Sequence, residues 1–294
     1  MNENITIQSI PSFKRDFIKV DILRLDELHP VVSGNKWFKL RYYIQEAKQQ
    51  KANTIASFGG PYSNHLVALA FAAKQNGFKS IGYVRSNANE AITPTLSEAI
   101  EYGMELKFLG RNEFSLLKNK LLQSKSDALH GVYYIDEGGY GRIGAKGAAT
   151  ILENKKTNTY SHIICAVGTG TMMAGLINAS QPHQQIIGIP ILKNENSIQE
   201  EIKALLLCEE KSFTILPGFH LGGYAKTNQT QFDFMNQLWI KDLIPTDIVY
   251  TSKLLMAVEQ LINENYFEKN AQILVIHSGG LQGNRSLPLD TLIF

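Results

Sequence analysis

The sequence predicts an α/β protein of two units, or of one large α/β unit, built on parallel sheets with helical crossovers. Three observations predict it. The chain has 294 residues, about twice the ~150 typical of one domain. Short apolar runs alternate with helical stretches along most of its length, as crossover units require. Glycine-bearing loops recur where an apolar run ends and a helical stretch begins, the place where open α/β sheets gather ligands.

Taken in order, 54–58 reads as a strand, 63–76 as an alanine-rich helix and 80–84 as the next strand, which together make one βαβ unit. Residues 95–102 read as helix, 105–109 as extended, 114–124 as helix and 132–135 as extended again. Beyond Gly138, Gly139, Tyr140 and Gly141 the pattern repeats with a helix over 144–155, a strand over 162–167 and a helix from near Met172. Further strands are expected at 185–189 and 271–276, and further helices at 200–207, 227–238 and 253–263. The break at 138–141 and the segment just past Lys36 are the expected crossings between units.

Composition narrows the function. With 19% charged residues and a formal charge of +2, the chain has no basic excess for a phosphate backbone, so no nucleic-acid partner is expected. Two cysteines, Cys165 and Cys208, cannot staple a secreted fold, and the first ten residues lack a basic start followed by an apolar run, so a cytoplasmic protein is expected. Residues 157–192 hold no Asp, Glu, Lys or Arg, yet Asn, Gln, His and Pro interrupt them, which fits a buried strand, turn and helix and no membrane partner. The histidines and cysteines show no paired ligand spacing, so no metal is expected.

Four loops hold residues suited to chemistry. In Ser33-Gly34-Asn35-Lys36 a tight turn can aim the lysine amine into a cleft, where desolvation frees its lone pair for a Schiff base; an ordinary solvated turn lysine is the other reading. Gly59-Gly60-Pro61-Tyr62-Ser63-Asn64-His65 opens a helix, so Ser63 or Asn64 stands at an N-terminus that attracts a carboxylate or simply caps the helix. Gly168-Thr169-Gly170-Thr171 joins a strand to a helix with backbone donors and two hydroxyls. It lacks the Walker lysine and the three-glycine dinucleotide spacing, which leaves a compact phosphate or a plain turn. The last group comprises Gly222-Gly223-Tyr224, Val249-Tyr250-Thr251 and His277-Ser278-Gly279-Gly280, where the tyrosines and histidine also read as packing residues. One amine, one helix-start hydroxyl and one phosphate loop are the parts that hold pyridoxal 5'-phosphate, an electron sink for carbanions.

From about Asp26 to Gly283 these motifs, in this order, resemble the pyridoxal-phosphate enzymes of the tryptophan synthase β-subunit superfamily. The group resembled is that of 1-aminocyclopropane-1-carboxylate deaminase and D-cysteine desulfhydrase. The resemblance implies two open twisted, mostly parallel sheets with helices on both faces and the cofactor in the cleft between domains. Residues 1–40 plus 138–294 would form the larger, discontinuous domain and 41–137 the smaller inserted one. Lys36 matches the Schiff-base lysine and Lys39 a second lysine near the phosphate held by Gly168, Thr169, Gly170 and Thr171. Asn64 matches the partner of the ring hydroxyl and Ser63 the holder of the substrate carboxylate. Tyr224 and Tyr250 match two active-site tyrosines, and Thr251 falls where the protein meets the pyridine nitrogen. Thr251, Ser278 and His65 each resemble the desulfhydrase pattern, where deaminases have Glu, Leu and Gln.

The implied activity is breakdown of a small amino acid to a 2-oxo acid and ammonia, with D-cysteine as substrate and pyruvate, hydrogen sulfide and ammonia as products. The alternatives are a deaminase, classed as a hydrolase, that opens the cyclopropane amino acid, and a non-catalytic small-molecule binder or a nucleotide-binding protein on similar parts. A homodimer is expected by family analogy.

Overall fold

The computed structural model describes residues 5–15, 17–86, 92–123, 131–153, 155–192, 197–208 and 210–294. In chain order its elements are β1 (Ile7–Ser9), β2 (Lys19–Arg24), α1 (Asn35–Gln49), β3 (Thr54–Gly59), α2 (Asn64–Gln75), β4 (Lys79–Arg85), α3 (Pro94–Glu101), β5 (Met104–Leu109), α4 (Arg111–Gln123) and β6 (Val132–Ile135). There follow α5 (Arg142–Ala149), β7 (His162–Val167), α6 (Thr171–Ala179), β8 (Gln185–Pro190), α7 (Ile198–Lys203), β9 (Thr214–Ile215), α8 (Gln229–Asp242), α9 (Thr251–Asn263) and β10 (Gln272–His277).

Among the described residues these strands form a six-stranded sheet ordered β1-β2-β10-β7-β8-β9 and a four-stranded sheet ordered β5-β4-β3-β6. Every pairing is parallel except β1 with β2. The expected mostly parallel α/β architecture is therefore present. The chain segment from β3 to β6 lies between strands of the larger sheet, since β1 and β2 return to pair with β10.

Burial on both faces explains why the central strands read as unbroken apolar runs. On β10, Ile273 and Val275 join one core cluster while Leu274 and Ile276 join the other, and all four are fully buried. On β7, Ile163, Cys165 and Val167 face one side, and Ile164 and Ala166 the other. Helices α5 and α6 cover the first face, and α8 and α9 the second.

The structure differs from the sequence reading at several places. β2 carries Lys19, Asp21 and Arg24, charges that hid it; Asp21 and Arg24 are paired inside, with the Tyr160 hydroxyl donating to Asp21 Oδ2 at 2.5 Å and Arg24 Nη2 2.7 Å from Asp26, while Lys19 stays exposed. The expected crossing just past Lys36 is the unbroken helix α1, so a boundary between 40 and 41 falls inside a helix. Phe38 packs in the larger sheet's core and Leu40, Tyr43, Ile44 and Ala47 in the smaller one's, so α1 spans both. The helix expected over 144–155 ends at Ala149 and continues as 3-10 turns at Thr150–Leu152 and Lys155–Thr159, residue 154 lying outside the described residues. The helix expected at 200–207 stops at Lys203; of the helix expected over 114–124, residue 124 lies outside the described residues. No helix among the described residues is long and apolar enough to cross a membrane.

Candidate active site

A cavity of about 920 Å³ opens at the carboxyl ends of the strands of both sheets. Arg85 at the end of β4 and residues following β3 and β6 line one side, and residues following β7 and β10 the other, together with the starts of α1 and α2. This is the position that strand polarity assigns to ligands in open parallel sheets.

Lys36 sits on the first turn of α1, and Gly34 is the reason the helix can start there. Gly34 has φ +66° and ψ −148°, and a Cβ on it would stand 1.8 Å from the Ser278 carbonyl oxygen. That same oxygen accepts the Asn35 amide at 3.2 Å, tying α1 to the turn after β10. The Lys36 Nζ lines the cavity and donates to Asn35 Oδ1 at 2.7 Å. Loss of solvent lowers this amine to about 8, with Asp247 pulling the other way. Lys39, one turn on along the same face, is 3% exposed and donates to the Gly138 carbonyl at 3.3 Å. Burial, and then the charge of Lys36, holds it well below the ordinary lysine range. Two amines, both lowered by burial, share one wall.

Ser63 caps α2: its hydroxyl oxygen accepts the Leu66 amide at 3.3 Å, leaving its own proton to donate into the cavity. Asn64 donates to the Gly280 carbonyl at 3.3 Å, and its buried Oδ1 has no partner. His65 is 2% exposed, with Nε2 2.9 Å from Ser57 Oγ. The Ser57 hydroxyl proton goes to the Ile135 carbonyl at 2.9 Å, so its oxygen accepts from His65 Nε2–H. His65 Nδ1 is then a bare acceptor, buried and unpartnered. Burial, followed by the charges of Lys36 and Lys39, pushes this imidazole down to about 3.

Gly168, Thr169 and Gly170 line the opposite wall, and Gly170, at φ +76°, caps α6. Helix starts carry free N–H groups and a positive dipole end, a cradle for an anion. Thr171 is fully buried behind this loop, its hydroxyl 3.0 Å from that of Thr169. Tyr224, Tyr250 and Ser278 also line the cavity. The Tyr224 hydroxyl donates to the Tyr62 carbonyl at 3.3 Å, which bridges the two sides of the opening. Burial raises Tyr224 to about 12 and Tyr250 well above the ordinary phenol range.

Thr251 is a departure from expectation, for it does not line the cavity. It is 1% exposed, its hydroxyl donates to Asp247 Oδ1 at 2.6 Å, and it accepts the Asp247 amide at 2.7 Å. Its one proton is spent inside the protein. Asp247 was missed by the sequence reading: fully buried, it also accepts the amides of Val249, Tyr250 and Thr251 at 2.8 Å each. The only signal was an Asp four residues before a helix start. Also missed were Arg85, Lys118, Asp136 and Glu137 on the rim, joined by ion pairs at 2.9 to 3.6 Å. His277 is a satisfied core histidine, with Nε2 2.7 Å from the Pro245 carbonyl and Nδ1 3.3 Å from the Gly279 amide.

Fold and site together define an enzyme that carries an aldehyde cofactor with a phosphate. The chain belongs to the pyridoxal-phosphate-dependent enzyme family, whose model matches residues 9–279. Among its relatives is a Thermotoga maritima protein provisionally named 1-aminocyclopropane-1-carboxylate deaminase, 28% identical over 284 residues that cover 89% of this chain and 88% of that one. The Arabidopsis thaliana mitochondrial bifunctional D-cysteine desulfhydrase/1-aminocyclopropane-1-carboxylate deaminase is 25% identical over 295 residues, covering 86% of this chain and 70% of the other. The solved structure of an ACC deaminase homologue superposes with a TM-score of 0.83 at 23% identity, covering 95% of this chain and 90% of that one, and shares the fold.

The residues present fit the cofactor of that family. Lys36 offers an amine with an accessible lone pair, and the start of α6 offers anion donors. The buried acceptors Asn64 Oδ1 and His65 Nδ1 lack partners, as expected where a polar ligand completes them.

Proposed function

We propose that this enzyme breaks down D-cysteine, or a small amino acid of that class, to a 2-oxo acid and ammonia. For D-cysteine the balance is one water consumed and pyruvate, hydrogen sulfide and ammonia released. The observation that carries the reading is the Lys36 amine, lowered to about 8 in a cavity that also presents the Ser63 hydroxyl at a helix start.

Pyridoxal phosphate, when bound, supplies a carbonyl for an amine and a ring that accepts the electron pair left at Cα. Lys36 would hold its aldehyde carbon, residues 168–170 its phosphate and Asn64 its ring hydroxyl. With its pKa lowered to about 8, the Lys36 amine is suited to take the Cα proton and return it to a leaving group. Ser63 and the α2 N-terminus hold the substrate carboxylate, the hydroxyl donating and the helix dipole neutralising. The Tyr224 to Tyr62 contact limits water at the opening.

Burial holds the Tyr250 phenol well above its ordinary pKa, so it keeps its proton and serves as a hydrogen-bond donor in the cavity. D-cysteine is placed first because Ser278 and His65, both lining the cavity, resemble the desulfhydrase pattern. The relatives named for the deaminase activity keep 1-aminocyclopropane-1-carboxylate as the second candidate. A cytoplasmic homodimer is part of the proposal, and light scattering on the purified protein tests the dimer.

The deciding experiment assays D-cysteine, L-cysteine and 1-aminocyclopropane-1-carboxylate in parallel, with Lys36→Ala as control. Pyruvate and sulfide from D-cysteine support the reading, and 2-oxobutanoate from the cyclopropane substrate alone replaces it with the alternative. Inertness towards all three removes it.

A further inference from the structure

Lys253 stands on the first turn of α9 with no solvent exposure, a rare place for a lysine. Among the described residues no carboxylate lies within ion-pair reach of it. Its Nζ instead donates to two carbonyls of one loop, Gly223 at 2.7 Å and His220 at 2.9 Å. That loop has positive φ at Gly218, Leu221, Gly222, Gly223 and Ala225. Such a run is not one the chain holds through its own preferences, because L side chains at Leu221 and Ala225 disfavour it.

The loop delivers Tyr224, whose hydroxyl reaches the Tyr62 carbonyl across the cavity opening. Tyr250, on the same side, immediately precedes α9, and its amide is held by Asp247. Both tyrosines are therefore referenced to one helix turn, Tyr250 through the Asp247 carboxylate and Tyr224 through the Lys253 ammonium.

We propose that Lys253 is a positioning residue that clamps the 220–223 turn to α9 and thereby sets Tyr224 opposite Tyr62 at the mouth of the active site. The proposal deepens the functional reading above and rests on it only for the role of Tyr224 in turnover. The clamp itself is a property of the folded chain.

Lys253→Met keeps the length of the side chain and removes the donor. The loop retains its own bonds, Gly223 N to His220 O at 3.0 Å and Lys226 N to Gly223 O at 3.3 Å, so the variant is expected to fold. Lys253→Leu, which also removes the donor, serves if the methionine variant does not fold. Hydrogen exchange on the cofactor-loaded protein is the first readout. Amides 218–226 should exchange about tenfold faster or more, the scale of a lost charge-assisted hydrogen bond, with α2 and the cofactor absorbance unchanged. Unchanged loop exchange overturns the proposal. The second readout uses whichever of the three amino acids is turned over. Lys253→Met should lower kcat/KM in the native background and cause no further loss in Tyr224→Phe, whereas equal losses in both backgrounds overturn action through Tyr224. Inertness to all three amino acids removes the functional reading while the exchange result still decides the clamp.

Discussion

Gly34→Ala tests whether the seat of Lys36 depends on the close approach of two loops. The backbone at Gly34, with φ +66° and ψ −148°, lies in a region essentially reserved for glycine. An alanine there brings a strain of about 1–3 kcal/mol. Its Cβ would also stand 1.8 Å from Ser278 O, 2.3 Å from Ser278 C and 2.7 Å from Gly279 N, all backbone atoms that cannot swing aside. Forced overpacking adds about 1–3 kcal/mol. The sum, about 2–6 kcal/mol, is a large share of a typical folding free energy of about 5–15 kcal/mol. In thermal denaturation it corresponds to a fall in Tm of about 3–10 °C for a chain of this size. Gly60→Ala is the control, since nothing lies within 4 Å of a Cβ at that position. Because Asn35 N bonds to Ser278 O, the displacement also shifts the start of α1, and the purified variant should carry less pyridoxal phosphate per chain by its visible absorbance. A variant melting within about 2 °C of the native protein with full cofactor content would refute the reasoning.

Lys36→Met, compared with the native protein, both cofactor-free, tests the lowered amine. The folded chain sheds this proton near 8 and the unfolded chain near 10.5, so the unfolded state holds more protons in that window and the group's contribution to stability rises with pH across it. The variant should be the more stable at pH 7, and its advantage should shrink towards about pH 10.5; an advantage independent of pH contradicts the assignment. For His65, lowered from 6.5 to about 3, the sign of the window is the same: its contribution is present above 6.5 and lost as pH falls towards 3. Its imidazole resonances in a nuclear magnetic resonance titration should not move between about pH 5 and 8, and a midpoint near the ordinary histidine value would disprove the buried neutral state. Ser63→Ala removes the acceptor of the Leu66 amide and should cost about 1 kcal/mol, read as a lower urea midpoint at unchanged slope. The same variant should raise KM for the amino acid, and an unchanged KM argues against the carboxylate role.

Much of the site was readable because each part lies within a few residues of chain. Ser63 to His65 announce a helix start through the alanine-rich run that follows, and 168–171 announce a strand-to-helix loop through the apolar run before it. α1 was not readable in the same way. Its apolar residues divide between two cores, Phe38 against one and Leu40 to Ala47 against the other, so no single stripe marks it. β2 was hidden by its charges: Asp21 finds its partner, Tyr160, far along the chain, and Arg24 is held by Gln8 of β1 as well as by Asp26 two residues on.

By itself the sequence determined the alternation of strands and helices, the glycine loops at strand ends and the set of residue types that point to a phosphate-bearing aldehyde cofactor, since these depend on local periodicity and turn chemistry. Tertiary structure alone decided what each of those residues is free to do. It spent the Thr251 proton on Asp247, left His65 Nδ1 bare because Ser57 gives its proton to Ile135, and placed the Lys253 ammonium under the Tyr224 loop. The physical reason is that the burial of these groups, and partners such as Ile135 for Ser57 and Gly223 for Lys253, come from residues far apart in the chain, and lost solvent and hydrogen-bond partners together set the protonation state and direction of a buried polar group.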